Sequence, residues 1–107
     1  MKRGSLTAAL RAFDLGELAS LPARLLSAGQ KRRLALARVL LGRARLLLLD
    51  EPFTGLDQRG RKWLGEFLQT FKAGGGAAVI ATHSFGGGLS VADRIGILAS
   101  GRLLLDR

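Results

Sequence analysis

Four consecutive leucines, Leu46 to Leu49, lie between Arg45 and the acidic pair Asp50-Glu51. Four residues are too few for a stable helix. With no polar residue to alternate, they present apolar side chains to both faces of a strand. A strand that is apolar on both faces suits a central parallel strand covered by helices on either side. The run therefore points to an α/β layer arrangement. It also puts Asp50 and Glu51 at the carboxyl end of the strand, where open parallel sheets collect their ligand sites. At 107 residues the chain has room for one small domain.

The flanking segments supply the layers. Ser5 to Phe13 reads as a short helix capped by Ser5, with Leu6, Ala9, Leu10 and Phe13 on one face. Asp14-Leu15-Gly16 breaks it, and Glu17 to Leu21 offers a further helical turn ended by Pro22. Ser27 to Leu41 is the strongest helix. Its start, Ser27-Ala28-Gly29-Gln30, fits a capping box; Leu34 to Leu41 is apolar almost all round, which predicts burial; and Gly42 is its stop. Asp57 caps a helix running through Lys72, whose inner face is Gly60, Trp63, Leu64, Phe67, Leu68 and Phe71, and Gly74-Gly75-Gly76 ends it. Ala77 to Ala81 reads as a second short buried strand leading into Thr82-His83. Phe85 to Ala92 is a weak helix, because Gly86-Gly87-Gly88 disfavours one. Ile95 to Ala99 and Arg102 to Leu105 read as a hairpin turned at Ser100-Gly101. No internal repeat or linker divides the chain.

A net charge of +9 points either to an anionic partner or to an arginine-rich solvated surface. Because the basic residues are spread from Lys2 to Arg107 with few aromatics between them, charge alone makes a weak case for nucleic acid. The absence of cysteine excludes disulfides, thiolate metal sites and Cys nucleophiles. No apolar run approaches the roughly 18 residues of a membrane span, and no signal-peptide core follows Met1 to Ser5. A cytoplasmic chain is the expectation.

Three places could carry chemistry, each with an ordinary structural alternative. Asp50 at a strand end can hold Mg²⁺, largely through water, and Glu51 beside it can orient or deprotonate a water; acidic residues there can also simply cap a helix. Ser27-Ala28-Gly29 offers backbone N–H groups and a helix dipole to an anion, or is no more than a capped helix start. His83, the sole histidine, could hydrogen-bond a phosphate or be structural.

Jointly, these pieces resemble the ATPase domain of ABC transporters. Leu26-Ser27-Ala28-Gly29-Gln30 is similar to the signature motif and Leu46 to Glu51 to the Walker B motif with its catalytic glutamate; Gly55-Leu56-Asp57 resembles the D-loop and Thr82-His83 the H-loop. Arg32 to Arg38 resembles the signature helix, and Asp93-Arg94-Ile95 with Ser100-Gly101-Arg102 the closing segment. Ala28 stands where glycine is most frequent and Gly55 where alanine is common; both residues are small. The resemblance implies an α/β fold, a partial P-loop NTPase domain of parallel core strands, flanking helices and a C-terminal β-hairpin. Residues 1–42 would be a helical subdomain portion with the signature motif, and 43–107 the core portion from Walker B to H-loop.

The resemblance implies ATP and Mg²⁺ as cofactors. Asp50 would help hold the metal, Glu51 would polarise the attacking water and His83 would contact the γ-phosphate. Ser27, Ala28, Gly29 and Gln30 would face ATP held by a partner domain, and Asp57, at the dimer interface, completes the nucleotide-facing set. No G-x-x-x-x-G-K-[ST] occurs, since Gly74 to Gly76 and Gly86 to Gly88 lack the Lys-Ser/Thr tail. The likeness is thus to the second half of the domain. These residues alone are expected neither to hold ATP tightly nor to hydrolyse it, and to be marginally stable without a complementing part. The implied partners are a second ATPase domain or a Walker A-bearing chain, and transmembrane permease subunits, which would hold the chain at the inner face of the plasma membrane; no nucleic acid is expected. Within the family the residues look like ATP-binding subunits that serve haem export for cytochrome c biogenesis. A non-catalytic remnant, or half of a split ATPase acting as an interaction module, is the alternative. Chromosome-maintenance ATPases fit less well, because no heptad-patterned coiled coil precedes the signature motif.

Overall fold

The leucine run forms a strand. In the computed structural model, which describes residues 3–16, 23–83 and 91–106, the elements in order are α1 (Arg3–Ala12), a 3₁₀ turn (Ala23–Leu25), α2 (Ala28–Leu40), β1 (Leu46–Asp50), α3 (Gln58–Ala73), β2 (Ala77–Ala81), β3 (Gly96–Ala99) and β4 (Arg102–Asp106). β1 and β2 pair in parallel, from Leu46 opposite Ala77 to Asp50 opposite Ala81, and α3 is the crossover between them. β3 and β4 form a separate antiparallel hairpin. Its two turn residues have positive φ, 51° at Ser100 and 75° at Gly101, the type I′ geometry that matches strand twist.

The core lies between β1, the inner face of α3, and α1 with α2. Leu47 and Leu49 project onto it from β1, at 2% and 6% exposure. Leu64, Phe67 and Leu68 meet them from α3, as its periodicity predicts, with Trp63 and Phe71 half-buried at the margin. Phe13, Trp63, Phe67 and Phe71 form a run of ring contacts with centroids 5.3 to 6.0 Å apart. Each large apolar side chain so buried contributes about 1.5–3 kcal/mol. Gly60 lets α1 and α3 meet closely, because a Cβ there would lie 3.1 Å from the Ala12 carbonyl oxygen.

Several sequence expectations need correction. β1 is covered on one side only: Leu46 is 55% and Leu48 71% exposed, since no described element packs on that face. β2 is not buried. Only Ile80 is half-buried, and Val79 is 61% exposed. The second half of α2 buries one stripe, Ala37 and Leu40, while Ala35 and Val39 face outward. α1 begins at Arg3, so Ser5 sits inside its first turn and is not its N-cap. The expected turn at Glu17 to Leu21 and most of the weak helix at Phe85 to Ala92 fall outside the described residues.

Some of the positive charge has a structural use. The last carbonyls of a helix lack intrahelical donors. Arg33 Nε donates to the Phe13 carbonyl at 2.8 Å and Arg59 Nη2 to that of Arg11 at 2.6 Å, so guanidinium groups from α2 and α3 close the C-terminal end of α1. Lys72 near the end of α3 pairs with Asp93 at 3.1 Å, tying in the segment before the hairpin. Among the described residues, no helix is long and apolar enough to cross a membrane.

Candidate functional site

β1 ends at Asp50, and the chain must turn at once into the loop that precedes α3. Glu51 makes that turn with φ +49°, a left-handed conformation rarely adopted by a side-chain-bearing residue. Its peptide is held on both sides. Its N–H donates to the Ala81 carbonyl at 2.8 Å, extending the β1–β2 ladder, and its carbonyl accepts from Thr54 N–H at 3.2 Å and Arg32 Nη2 at 2.9 Å. Gly55, at φ +79°, takes the second left-handed position of the loop, which explains why glycine suits a place where alanine was the commoner expectation. Asp57 then caps α3, its Oδ1 accepting from Gly60 N–H at 2.9 Å.

The parallel register brings the ends of β1 and β2 side by side, and this joins Glu51 to Thr82 and His83, more than thirty positions apart. Glu51 Oε1 accepts from the His83 backbone N–H at 2.6 Å and lies 2.7 Å from Nδ1 of the same residue. Oε2 accepts from Thr82 Oγ1 at 3.0 Å, with Thr54 Oγ1 at the limit of hydrogen bonding, 3.5 Å. An ionised carboxylate only accepts, so the Nδ1 contact puts a proton on Nδ1. The His83 ring is otherwise in solvent, with its side chain 97% exposed against 23% for Glu51, and its Nε2 edge is open to a ligand.

The His83 backbone N–H is the main reason the Glu51 carboxyl sits below its ordinary pKa; the Thr82 hydroxyl and the His83 ring add to this, while partial desolvation opposes it. Glu51 is therefore ionised at neutral pH. A carboxylate so stabilised orients and polarises water more effectively than it stores a proton.

Asp50 stands next in sequence but on the other side of the strand. The two-residue period of a strand puts it with Leu46 and Leu48 on the uncovered face, where it is exposed. Among the described residues no three His, Cys, Asp or Glu side chains gather as a metal site. One exposed carboxylate fits Mg²⁺ that arrives with phosphate oxygens and water, and does not fit an all-protein cage.

The start of α2 is built as its sequence indicates. Ser27 Oγ accepts from Gln30 N–H at 3.1 Å, and Gln30 Oε1 accepts from Ser27 N–H at 2.7 Å, a complete capping box. Ala28 and Gly29 lie exposed at the positive end of the helix dipole.

Glu51, Thr54, Thr82 and His83 thus form one hydrogen-bonded cluster. Asp50, Asp57 and the Ser27–Gln30 turn do not share it by any hydrogen bond among the described residues. Sequence reasoning missed Thr54 and Arg32 as contacts of Glu51. The three-residue step from Glu51 to Thr54, a turn spacing, could have flagged the first; nothing local flags the second.

Comparison with known proteins gives a consistent result. A family model described as ABC transporter matches residues 2–54. The cytochrome c biogenesis ATP-binding export protein CcmA of Gluconobacter oxydans is 54% identical over 79 residues, 74% of this chain and 37% of that protein. The protein of the same name from Bordetella parapertussis is 56% identical over 79 residues, 74% of this chain and 35% of that protein. The chain therefore spans little more than a third of the length of these curated relatives. Among solved structures, RNase-L Inhibitor superposes with a TM-score of 0.74 at 25% identity, covering 94% of this chain and 20% of that one. The ADP conformation of an ATP-binding cassette of an ABC transporter superposes with a TM-score of 0.65 at 21% identity, covering 96% and 41%, a likeness of fold.

Proposed function

The chain belongs to the ABC transporter ATP-binding proteins, and on that premise we propose that it supplies the hydrolytic carboxylate and the signature helix of a composite ATP site. The observation that carries this reading is the Glu51–Thr82–His83 cluster at the carboxyl end of β1. Glu51, ionised and held at both oxygens, polarises the water that attacks the terminal phosphate. His83, with Nδ1 engaged by Glu51, turns Nε2 toward that phosphate. Asp50 helps hold the Mg²⁺ that comes with the nucleotide; when bound, this ion neutralises developing phosphate charge. Ser27, Ala28, Gly29 and Gln30, at the positive end of α2, face the phosphates of ATP held by a partner domain, with Asp57 at the same interface.

The phosphate cradle is not among these 107 residues. In this reading it packs on the uncovered Leu46–Leu48 face, whether it is carried on the same polypeptide or on another. Residues 1–42 then serve as the helical subdomain portion and 43–107 as the core portion. The relatives' name, cytochrome c biogenesis ATP-binding export protein, supports reading the work as export in that process. The cargo we assign is haem, moved through permease subunits with the chain on the cytoplasmic side of the membrane.

The test joins this chain to a part bearing G-x-x-x-x-G-K-[ST] and compares Glu51→Gln with the parent. Turnover should fall at least about 100-fold while ATP binding persists; undiminished turnover would overturn the assignment of Glu51. The uncovered leucine face also favours a second reading, a non-catalytic interaction module. In that case the assembled parent would bind its partner and show no hydrolysis at all.

A further inference from the structure

We propose that Arg32 is a positioning residue that couples the seat of α2 to the aim of the Glu51 carboxylate. This rests on the reading of Glu51 as the residue that polarises water.

Glu51 has φ +49° without being glycine. Such a conformation is strained and persists only where its surroundings over-determine it. Its N–H is fixed by Ala81 and its side chain by Thr82 and His83. The remaining handle is its carbonyl, and Arg32 Nη2 reaches that oxygen at 2.9 Å across nineteen residues of sequence. Thr54 N–H takes the second lone pair at 3.2 Å, so both lone pairs are used. The neighbouring Arg33 points elsewhere, to the Phe13 carbonyl at 2.8 Å, so this is not a diffuse effect of a basic run.

Arg32 stands five positions after Ser27 on one rigid helix whose capped start is the anion-facing end of the proposed site. A shift of α2 on engaging an anion would pull on the Glu51 peptide and turn its carboxylate. Rotation of that peptide also alters the angle at which Oε1 meets the His83 N–H. Displacements near 1 Å at such a group can cost up to about 100-fold in rate.

The experiment uses the assembled ATPase containing this full chain. Arg32→Ala should lower kcat about tenfold or more and leave KM for ATP within about twofold. Millimolar guanidinium should restore part of kcat, since a free cation can occupy the vacated place. Lys62→Ala, an exposed cation on α3 outside the proposed site, should leave kcat unchanged. A readout separate from turnover comes from ¹⁵N-histidine labelling of these 107 residues alone before assembly, because His83 is the sole histidine among them. The His83 amide resonance should move upfield in Arg32→Ala as its bond to Glu51 loosens.

An unchanged kcat with an unmoved His83 amide overturns the proposal, as does a loss confined to KM. If Arg32→Ala does not fold, Arg32→Lys decides. This substitution keeps the charge but displaces the donor. Lowered kcat with a moved amide supports coupling, and parental values of both overturn it. Glu51→Gln separates the two levels of failure. Full turnover in that variant would sink the catalytic reading, while the His83 amide would still report whether Arg32 holds the Glu51 peptide.

Discussion

The two faces of β1 are made of the same residue and behave as opposites. Leu47 and Leu49 are 2% and 6% exposed against α3, whereas Leu46 and Leu48 are 55% and 71% exposed. On the covered face the chain provides its own partner, the stripe of Leu64, Phe67 and Leu68. On the other no described residue covers Leu46 and Leu48, and the exposure continues into Val79 on β2. The covered face holds the fold together. The open face carries Asp50 at its end, on the side of the strand away from the Glu51 side chain. Isolated exposed leucines are ordinary on a protein surface; a contiguous apolar strip on a paired sheet marks a contact.

The sharpest way to break this contrast is to truncate one leucine on each face. Leu47→Ala should destabilise the chain by about 2–5 kcal/mol, and Leu48→Ala by no more than about 0.5 kcal/mol. Urea unfolding of the two variants checks this, and equal costs would mean that the open face is covered after all. The contrast should shift once the phosphate-loop part is present. Leu48→Asp should then weaken association at least about tenfold, near 1.4 kcal/mol, because a carboxylate would be buried without a partner. Titration calorimetry between the two parts measures this directly, and unchanged affinity would place the contact elsewhere.

Smaller effects belong to the ends of the helices flanking the covered face. Asp57→Ala and Ser27→Ala each remove a side-chain acceptor from a helix start and should cost about 1 kcal/mol in thermal or urea unfolding. Gly55→Ala should cost a similar amount, about 1 kcal/mol, through its positive φ. If these equal or exceed Leu47→Ala, packing on the covered face is not what chiefly holds the fold.

The smallest effect is a pH dependence. The folded pKa of Glu51 lies below its ordinary value, so its contribution to stability is present above the ordinary carboxylate range. It is lost as pH falls through the lowered value. Glu51→Gln should flatten that acid limb of the stability profile, and because the cluster is partly solvated the change will be modest.

Much of the local structure was legible beforehand because it is set within a few residues. The Ser27–Gln30 capping box, the Asp57 cap and the inner face of α3 follow from side chains three or four positions apart, the Ser100-Gly101 turn from two adjacent residues, and each is present. The motif order also put Glu51 and His83 within reach of one idea, and the parallel pairing of β1 with β2 brings them to 2.7 Å. Other features were not legible. The left-handed Glu51 follows from closing a tight turn after a strand, and nothing in its residue type announces it. The Arg32 bond depends on where α2 lies over the end of β1. The burial of β2 and of the second half of α2 was overestimated, because an apolar composition says that a surface avoids water without saying what covers it.

The sequence by itself therefore determined the described strands and main helices, the Ser27 and Asp57 caps, the Ser100-Gly101 turn and the family resemblance, since these depend on short-range sterics, hydrogen bonding and the spacing of motifs. Tertiary structure decided which leucines became core, which carboxylate of the Asp50–Glu51 pair joined His83, and which arginine closed on Glu51. The physical reason is that a strand's two faces, and the two sides of a carboxylate pair, are equivalent until a neighbour from elsewhere in the chain packs against one of them.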